Sequence, residues 1–345
     1  MTYLQLLLSP QKLTQIVPNL VDWLTACKPT PVFFPLLQQK QLTKIGLVLP
    51  NHAAYPHLTT AIARQIQSQP WVNWQGKTYT IKGITSEPPK SHIAALYRLL
   101  IPITFSSSPP IDSHKLLYKY CTNWIAQVDA TLAHQLVTLE VSPLTCTYLP
   151  RTAKKGYLCL TVFQAEWLSP LLWGLSRDLG KTVELGDSFC HFSSQLSPFQ
   201  QSDYYEMYQT PVQSEIKLQF LTPTSFKQNK VIQPFPLAEL TFASLQRRWN
   251  QLAPKPLKIP EQQWSGLVSA YDLKTEVWPS PHHSELGCVG WIRYRFSDTK
   301  QACFAAILAQ FSNFAGVGRK TALGMGVTRN IVIPNKNQNC QPPAD

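Results

Sequence analysis

In the last third of the chain, segments whose apolar residues recur every two positions alternate with segments whose apolar residues recur about every 3.6 positions. These two periods predict strands and helices in a regular order. Asp298 stands just before one helical stretch, where an aspartate side chain accepts hydrogen bonds from free backbone amides. The segments are a strand at 214–221, a helix at 237–252, strands at 271–278 and 288–296, a helix after 298 and a strand at 327–333. This βαββαβ order is that of a ferredoxin-like domain.

The middle third repeats the order, and the first ninety residues fit it too. The middle segments are a strand at 99–105, a long helix from a cap at Asp112 to about Leu136, strands at 137–149 and 157–163, a helix at 165–175 and a strand at 182–192. The first segments are strands at 3–8, 31–36, 44–49 and 77–84 and helices at 10–26 and 55–68, with Trp71 and Trp74 in a loop. The predicted fold class is α+β: tandem ferredoxin-like domains and an additional N-terminal α/β domain with the pattern of a third ferredoxin-like unit.

Proline and polar residues cluster at 86–90, at 194–202 and from 334 onwards, as is typical of linkers. These clusters predict an N-terminal extension at 1–93, a first ferredoxin-like domain at 94–212, a second at 213–335 and a polar tail at 336–345. The length of 345 residues agrees with several domains, because a single hydrophobic core rarely serves more than about 250 residues.

Composition and charge indicate which class of molecule the protein binds. Hydrophobic residues make up 44% and charged residues 14%, which excludes a disordered or coiled-coil chain. Thirty-one Lys and Arg against 19 Asp and Glu leave a net charge of +12, which indicates a polyanionic partner. The net charge is +6 over residues 1–95, −1 over 96–213 and +7 over 214–345, so we expect the polyanion to contact the two outer thirds most.

The N-terminal residues and the cysteines indicate the cellular compartment of the protein. Residues 1–10 have a short apolar run without preceding basic residues, unlike a signal peptide, and no apolar stretch approaches the roughly 18 residues of a membrane helix. Eight scattered cysteines without a C-x-x-C pair indicate buried thiols rather than a zinc site or a disulfide framework. We therefore expect a cytoplasmic protein with no membrane partner.

The most informative segment is Gly316-Val-Gly-Arg-Lys-Thr-Ala-Leu-Gly-Met-Gly326. It is not a P-loop, because Arg319 stands where the glycine before the lysine is needed, and it is followed by a strand rather than by the helix of a dinucleotide-binding turn. Glycines let a main chain approach phosphates while Arg319 and Lys320 neutralise them, which favours an RNA-backbone contact through Gly316, Gly318, Gly324 and Gly326. A helix cap combined with a β-bulge is the structural alternative.

Residues 315–329 resemble the glycine loop of the Cas-six family of CRISPR repeat-processing endoribonucleases, particularly its cyanobacterial members. Residues 216–228 are similar to the opening strand of the family's second domain, 242–250 to its following helix, 287–290 to its third strand and 127–134 to part of its first long helix. The resemblance covers about residues 97–333. It implies tandem ferredoxin-like domains, and the extension at 1–93 has no counterpart in compact members.

The resemblance also implies an activity. Family members cleave precursor CRISPR RNA within its repeats without a metal ion or another cofactor, by attack of a 2′-hydroxyl on the adjacent phosphate, which gives 2′,3′-cyclic phosphate and 5′-hydroxyl ends. The partner implied is therefore the repeat RNA of the precursor, and subunits of a CRISPR effector complex are a further candidate. Such chemistry needs a general base that titrates near neutral pH, beside cations that stabilise the phosphorane.

The candidate bases depart from the family pattern. Many family members have a catalytic histidine at one of two positions, which correspond to residues 117–118 and 137 of this chain. Here His114 and His134 each lie about one helical turn before those positions. Either histidine is a candidate base, and the structural alternatives are a solvated His114 and an exposed helical His134. Relatives without these histidines rely on lysines and tyrosines, which keeps Lys115, Tyr118 and Lys119 as candidates.

Five further cations are candidates for RNA binding. Lys227 and Lys230 follow a Thr-Pro-Thr-Ser-Phe turn that resembles a family position near the RNA, and their structural alternative is ordinary loop solvation. Arg151, Lys154 and Lys155 form a local basic cluster in the middle third. Two other functions stay open: a non-catalytic RNA-binding subunit of a CRISPR effector complex, and a general ferredoxin-like RNA binder.

Overall fold

Three antiparallel sheets of four or more strands follow one another along the part of the chain that the structure describes. The structure is a computed structural model that describes residues 4–13, 15–28, 30–38, 41–49, 54–74, 76–85, 95–193, 200–229, 231–278 and 284–333. Two compact units divide the chain, Met1–Tyr204 and Tyr205–Asp345, and the first unit contains two of the sheets.

The first sheet has five strands in the order β2-β3-β1-β5-β4. Its elements are β1 (Leu4–Gln11), α1 (Leu20–Thr25), β2 (Val32–Gln38), β3 (Gln41–Val48), α2 (Tyr55–Ser68), β4 (Trp71–Trp74) and β5 (Lys77–Thr85). β5 pairs with β1 on the side away from β3, which is the place of the fourth ferredoxin-like strand. The N-terminal region is therefore a third ferredoxin-like unit.

Two predictions for this region are wrong. Residues 10–26 do not form one helix, because β1 continues to Gln11 and α1 covers only Leu20–Thr25. Pro10 and Pro18 lack the amide hydrogen that a helix interior needs. Residues 71–74 form a strand rather than a loop, since β4 pairs with β5 and buries Val72 in the core.

The second sheet has the order β7-β8-β6-β10-β9, and β11 also pairs with β6. Its elements are β6 (Ala95–Phe105), α3 (Ser113–Ala126), α4 (Ala130–Thr138), β7 (Leu144–Pro150), β8 (Lys155–Val162), α5 (Leu168–Asp178), β9 (Thr182–Leu185), β10 (Ser188–Phe192) and β11 (Gln200–Asp203). A short 3₁₀ turn at Ala165–Trp167 precedes α5. The strand order is ferredoxin-like, as predicted.

Three boundaries in the second sheet differ from the prediction. The long helix is divided, because the Asp129 carboxylate accepts a hydrogen bond from the Leu132 amide (2.9 Å) and starts α4, whereas the Asp112 side chain makes no capping bond. β7 begins at Leu144 rather than at 137. The last strand is a hairpin of β9 and β10, which turns at Gly186 with φ +62°.

The third sheet belongs to the second unit and has the order β15-β16-β12-β17. After α6 (Tyr204–Tyr208), the elements are β12 (Glu215–Thr224), β13 (Phe226–Gln228), β14 (Val231–Gln233), α7 (Ala238–Leu252), β15 (Leu267–Trp278), β16 (Glu285–Arg295), α8 (Thr299–Ala315) and β17 (Thr328–Ile331). The predicted βαββαβ order is confirmed. The predicted cap is confirmed too, because the Asp298 carboxylate accepts from the Gln301 amide at 2.7 Å.

The first two sheets share a core within the first unit. Val48, at the end of β3, is completely buried in the same cluster as Leu168 and Leu172 of α5. The Ser169 hydroxyl donates a hydrogen bond to the Leu49 carbonyl at 3.1 Å. The N-terminal sheet therefore contributes to the packing of the second sheet. The domain boundaries at 93, 212 and 335 stay predictions.

The cysteine prediction holds for most thiols that the structure describes. Cys27, Cys121, Cys146, Cys159, Cys190 and Cys288 are buried and reduced, while Cys303 is half-buried. Burial raises the pKa of the Cys190 and Cys288 thiols to about 12. Cys340 lies outside the described residues.

None of the helices in the described ranges is both long and apolar enough to cross a membrane.

Replacing Val48 by aspartate should destabilise the first unit strongly, because it would place an unpaired carboxylate in the core that the two sheets share. We expect the free energy of unfolding to fall by about 3 kcal/mol or more. Val21→Asp is the matched control, since Val21 is 47% exposed on α1. Urea unfolding followed by circular dichroism measures both variants, and equal stabilities would contradict the shared core.

Candidate nucleic-acid interface

The glycine loop, residues 316–327, connects α8 to β17. Gly316, Gly318, Gly324 and Gly326 all have positive φ, between +67° and +94°. A Cβ atom at Gly318 would lie 2.4 Å from the Ser225 carbonyl oxygen, and one at Gly326 would lie 1.8 Å from the Val317 carbonyl oxygen. Glycine is therefore required at these two positions, because one backbone segment packs directly against another.

Hydrogen bonds hold the glycine loop against the end of β12, against Ser225, which follows β12, and against α7. The Arg319 amide donates to the Ser225 carbonyl (3.0 Å), the Gly326 amide to the Pro223 carbonyl (3.1 Å), the Gly318 amide to the Ser244 hydroxyl (3.1 Å) and the Thr222 hydroxyl to the Gly324 carbonyl (2.8 Å). The amides of residues 318, 319 and 326 thus bind protein atoms. These bonds agree with the structural alternative of a helix cap and a β-bulge, and contact of the four glycines with RNA stays a prediction.

Arg319 and Lys320 share one carboxylate partner. Arg319 Nη1 lies 3.0 Å from Glu285 Oε2, and Lys320 Nζ contacts the other oxygen, Glu285 Oε1. The Glu285 side chain is only 12% exposed, while those of Arg319 and Lys320 are 29% and 36% exposed. Glu285 therefore orients two adjacent cations whose outer surfaces stay open to solvent.

A pocket of about 280 Å³ lies beside these cations. Lys227 of β13, Arg247 of α7 and Arg319 line it. The other lining residues of α7 are Leu240, Ala243 and Ser244. Among the side chains of Lys227, Arg247, Glu285, Arg319 and Lys320, four are cationic and one is anionic, a net charge of +3. This set, called the loop cation cluster below, has the charge that a phosphate backbone requires.

The loop cation cluster brings together three of the predicted cations and adds two further residues, while their contact with RNA stays a prediction. Lys227 and Arg319 line the same pocket, and Lys320 shares Glu285 with Arg319. Lys230 lies outside the described residues. Arg247 and Glu285 were not predicted as site residues. The helical spacing of Leu240, Ser244 and Arg247 could have revealed Arg247, whereas Glu285 meets its partners only through tertiary structure.

The candidate bases lie on two helices of the first unit. His114 and Tyr118 are one turn apart on α3, and His134 is exposed on α4. His114 is only 5% exposed, so the alternative of a solvated His114 is wrong. Burial raises the pKa of Tyr118, whose hydroxyl lies 3.2 Å from the Ser142 hydroxyl, and so keeps the phenol protonated. Lys115 is exposed.

The predicted basic cluster of the middle third occupies the turn between β7 and β8. The Arg151 guanidinium lies 5.5 Å from the centre of the Tyr157 ring, and Lys154 Nζ donates to the Ser106 carbonyl at 2.9 Å. Lys155 is exposed at the start of β8. The three cations therefore share one exposed turn, where contact with RNA stays a prediction.

Within the described ranges, no three His, Cys, Asp or Glu side chains are grouped as metal ligands would be.

Comparison with known proteins identifies the second unit. The family model of the CRISPR-associated endoribonuclease Cas6 matches residues 218–328, which extend from β12 through the glycine loop to β17. Cas6 proteins from two strains of Mycobacterium tuberculosis are 30% identical over 128 residues, which make up 35% of this chain and 40% of each relative. The similarity in sequence thus spans less than half the length of these relatives.

Solved structures agree in fold. A Cas6 product complex has a TM-score of 0.61 at 20% identity and covers 69% of this chain and 100% of its own. Thermus thermophilus Cas6 has a TM-score of 0.52 at 19% identity, with 69% and 99% covered. The chain therefore shares a tandem ferredoxin-like fold with these Cas6 structures. The match of the Cas6 family model to residues 218–328 confirms the predicted resemblance, while the likeness to cyanobacterial members stays a prediction.

Replacing Gly326 by alanine should destabilise the glycine loop, because the new Cβ would meet the Val317 carbonyl and φ is +68°. We expect a loss of about 1–3 kcal/mol in the free energy of unfolding. Gly83→Ala is the control, since a Cβ at Gly83 would have no neighbour within 4 Å. Thermal unfolding compares the variants, and a Gly326→Ala protein as stable as Gly83→Ala would show that the loop packs less tightly than described.

Proposed function

We propose that this protein is a metal-independent endoribonuclease that cleaves precursor CRISPR RNA within its repeats. The observation that carries the proposal is the coincidence of the Cas6 family match at 218–328 with the loop cation cluster. Three cations line one pocket, and a fourth, Lys320, shares Glu285 with Arg319, which suits the RNA backbone. The first unit offers imidazole groups for proton transfer. One of the similar structures is a product complex, which supports RNA as the ligand class.

The proposed reaction begins with removal of a proton from the 2′-hydroxyl that precedes the scissile phosphate. A bond forms between O2′ and phosphorus, the bond between phosphorus and O5′ breaks, and the leaving O5′ takes up a proton. The products are a 2′,3′-cyclic phosphate and a 5′-hydroxyl. Charge develops on the non-bridging oxygens in the transition state, and positioned cations stabilise it.

The general base is assigned to His114 or His134. His134 is exposed on α4 and accessible to substrate, whereas His114 is buried and would need RNA to reach the start of α3. Tyr118 is a weaker candidate for the base, because its raised pKa favours the protonated phenol, which suits a proton donor. Lys115 and Lys119 stay candidates as exposed amines.

Substitution of the histidines separates these candidates. We expect His114→Ala or His134→Ala to lower the single-turnover cleavage rate by about 10²–10⁴-fold, since a general base contributes that much. Cleavage should persist in EDTA and stop when the nucleotide 5′ of the scissile phosphate is 2′-deoxy. His114→Asn and thermal unfolding control for lost packing at the buried site.

Full activity in both histidine variants would indicate that Lys115, Lys119 or Tyr118 is the general base. Cleavage of the deoxy substrate, or loss of cleavage in EDTA, would overturn the mechanism. Tight repeat binding without cleavage by the wild type would favour the alternative, a non-catalytic RNA-binding subunit of a CRISPR effector complex.

The loop cation cluster should contribute to the affinity for repeat RNA and to its salt dependence. Arg319→Ala combined with Lys320→Ala should weaken binding of repeat RNA and reduce the log–log salt slope by up to about 1.4, or about 0.7 for each phosphate that the variant no longer neutralises. Lys255→Ala with Lys258→Ala is the matched control, because it removes two exposed cations of the same unit outside the pocket. Fluorescence anisotropy at several salt concentrations measures the slope. Equal slopes for the two double variants would exclude the cluster from the RNA contact.

A further inference from the structure

A second cationic surface lies in the N-terminal ferredoxin-like unit and is formed by none of the residues assigned above. It is a groove with a volume of about 660 Å³ between the end of α1 and one face of α2. Its polar lining consists of Lys28, His57, Thr60, Arg64, Gln65 and Ser68. These residues, called the α2 groove below, include two permanent cations and no carboxylate.

The polar stripe of α2 follows the helical period. His57, Thr60, Arg64 and Ser68 are spaced by three, four and four residues and so share one face. The opposite face buries Leu58 and Ile62 in the core of the first sheet. The fold thus accounts for the apolar face of α2, while the polar face is left open to solvent.

The two cations of the α2 groove are available to a ligand. Neither Lys28 nor Arg64 pairs with a carboxylate among the described residues, and both are exposed. The hydroxyls of Thr60 and Ser68 donate to the Pro56 and Gln65 carbonyls, so their protons are already engaged and an anion would depend on the cations. The groove therefore favours an anionic ligand that Lys28 and Arg64 would hold.

The surrounding charge supports an anion. Residues 1–85 contain seven Lys and Arg but a single acidic residue, Asp22, which is exposed on α1. This excess of positive charge attracts polyanions over distances of about 10 Å at moderate salt. The N-terminal unit thus combines an open cationic groove with a field of the same sign.

We propose that the α2 groove binds the sugar–phosphate backbone of single-stranded RNA, as a contact separate from the loop cation cluster. The proposal rests on the proposed function for its ligand class. From His57 to Ser68 the stripe extends about 16 Å at 1.5 Å per residue, which is longer than one phosphate group needs. No Phe, Tyr or Trp side chain lines the groove, so the contact depends on charge more than on base stacking and is independent of sequence.

The test compares two double variants of the full-length chain. Lys28→Ala with Arg64→Ala removes the groove cations, and Lys77→Ala with Lys82→Ala removes the same charge from β5, outside the groove. The probe is a fluorescent oligouridine of about 15 nucleotides, titrated at several salt concentrations. We expect the groove variant to reduce the salt slope by about 1.4 relative to the control variant. Equal slopes and affinities in two folded variants would overturn the proposal.

Cleavage of repeat RNA, measured in parallel, separates this proposal from the proposed function. A wild type that fails to cleave but binds oligouridine through Lys28 and Arg64 would overturn the nuclease assignment and support the groove. If the wild type cleaves repeat RNA and the groove variant binds oligouridine as tightly as the control variant, only the groove proposal is overturned. Displacement of oligouridine by inorganic phosphate at matched ionic strength would indicate a site for a single phosphate and would also overturn the strand-binding proposal.

Discussion

The contact of the glycine loop with the end of β12 and with Ser225, which follows it, is the constraint on which the candidate interface depends. A side chain at Gly318 would overlap the Ser225 carbonyl oxygen across this contact, and one at Gly326 would overlap the Val317 carbonyl oxygen within the glycine loop itself. The amides of Arg319 and Gly326 donate across this contact. Because the loop backbone is held there, Arg319 and Lys320 extend towards Glu285 rather than varying in position.

Glu285 has two effects on these cations. It restricts the guanidinium and the ammonium to one side of the pocket, which reduces the conformational entropy that RNA binding would otherwise cost. It also cancels one positive charge, and an incoming phosphate has to compete with it for the two donors. Lys227 and Arg247 add charge from β13 and α7, so that the cluster stays cationic after the pairing with Glu285.

The sequence pattern predicted the order of the elements better than their ends. The strands and helices around Asp298 follow from alternation and from a capping side chain, both of which are local signals. The division of the helix at Asp129 and the hairpin at Gly186 depend on single residues inside longer apolar patterns, which a period alone does not detect. The packing of Val48 against α5 is a tertiary contact and leaves no local signal.

The candidate site shows the same division between local and tertiary signals. Arg319, Lys320 and Lys227 were predicted because they lie in or beside recognisable turns. The structure places Arg319 and Lys227 at one pocket with the additional Arg247, and Lys320 shares Glu285 with Arg319. The main chain at the glycines binds protein atoms, and its contact with RNA stays a prediction. A glycine pattern alone does not tell whether the close neighbour is a phosphate or another backbone segment.

Lysine acetylation of the free protein and of its complex with repeat RNA, read by mass spectrometry, tests the central claim that the loop cation cluster contacts the RNA. The account predicts that RNA protects Lys227 and Lys320, while Lys255 and Lys258, exposed elsewhere in the same unit, react as they do in the free protein. Unchanged reactivity of Lys227 and Lys320 in an RNA-saturated sample would contradict the account.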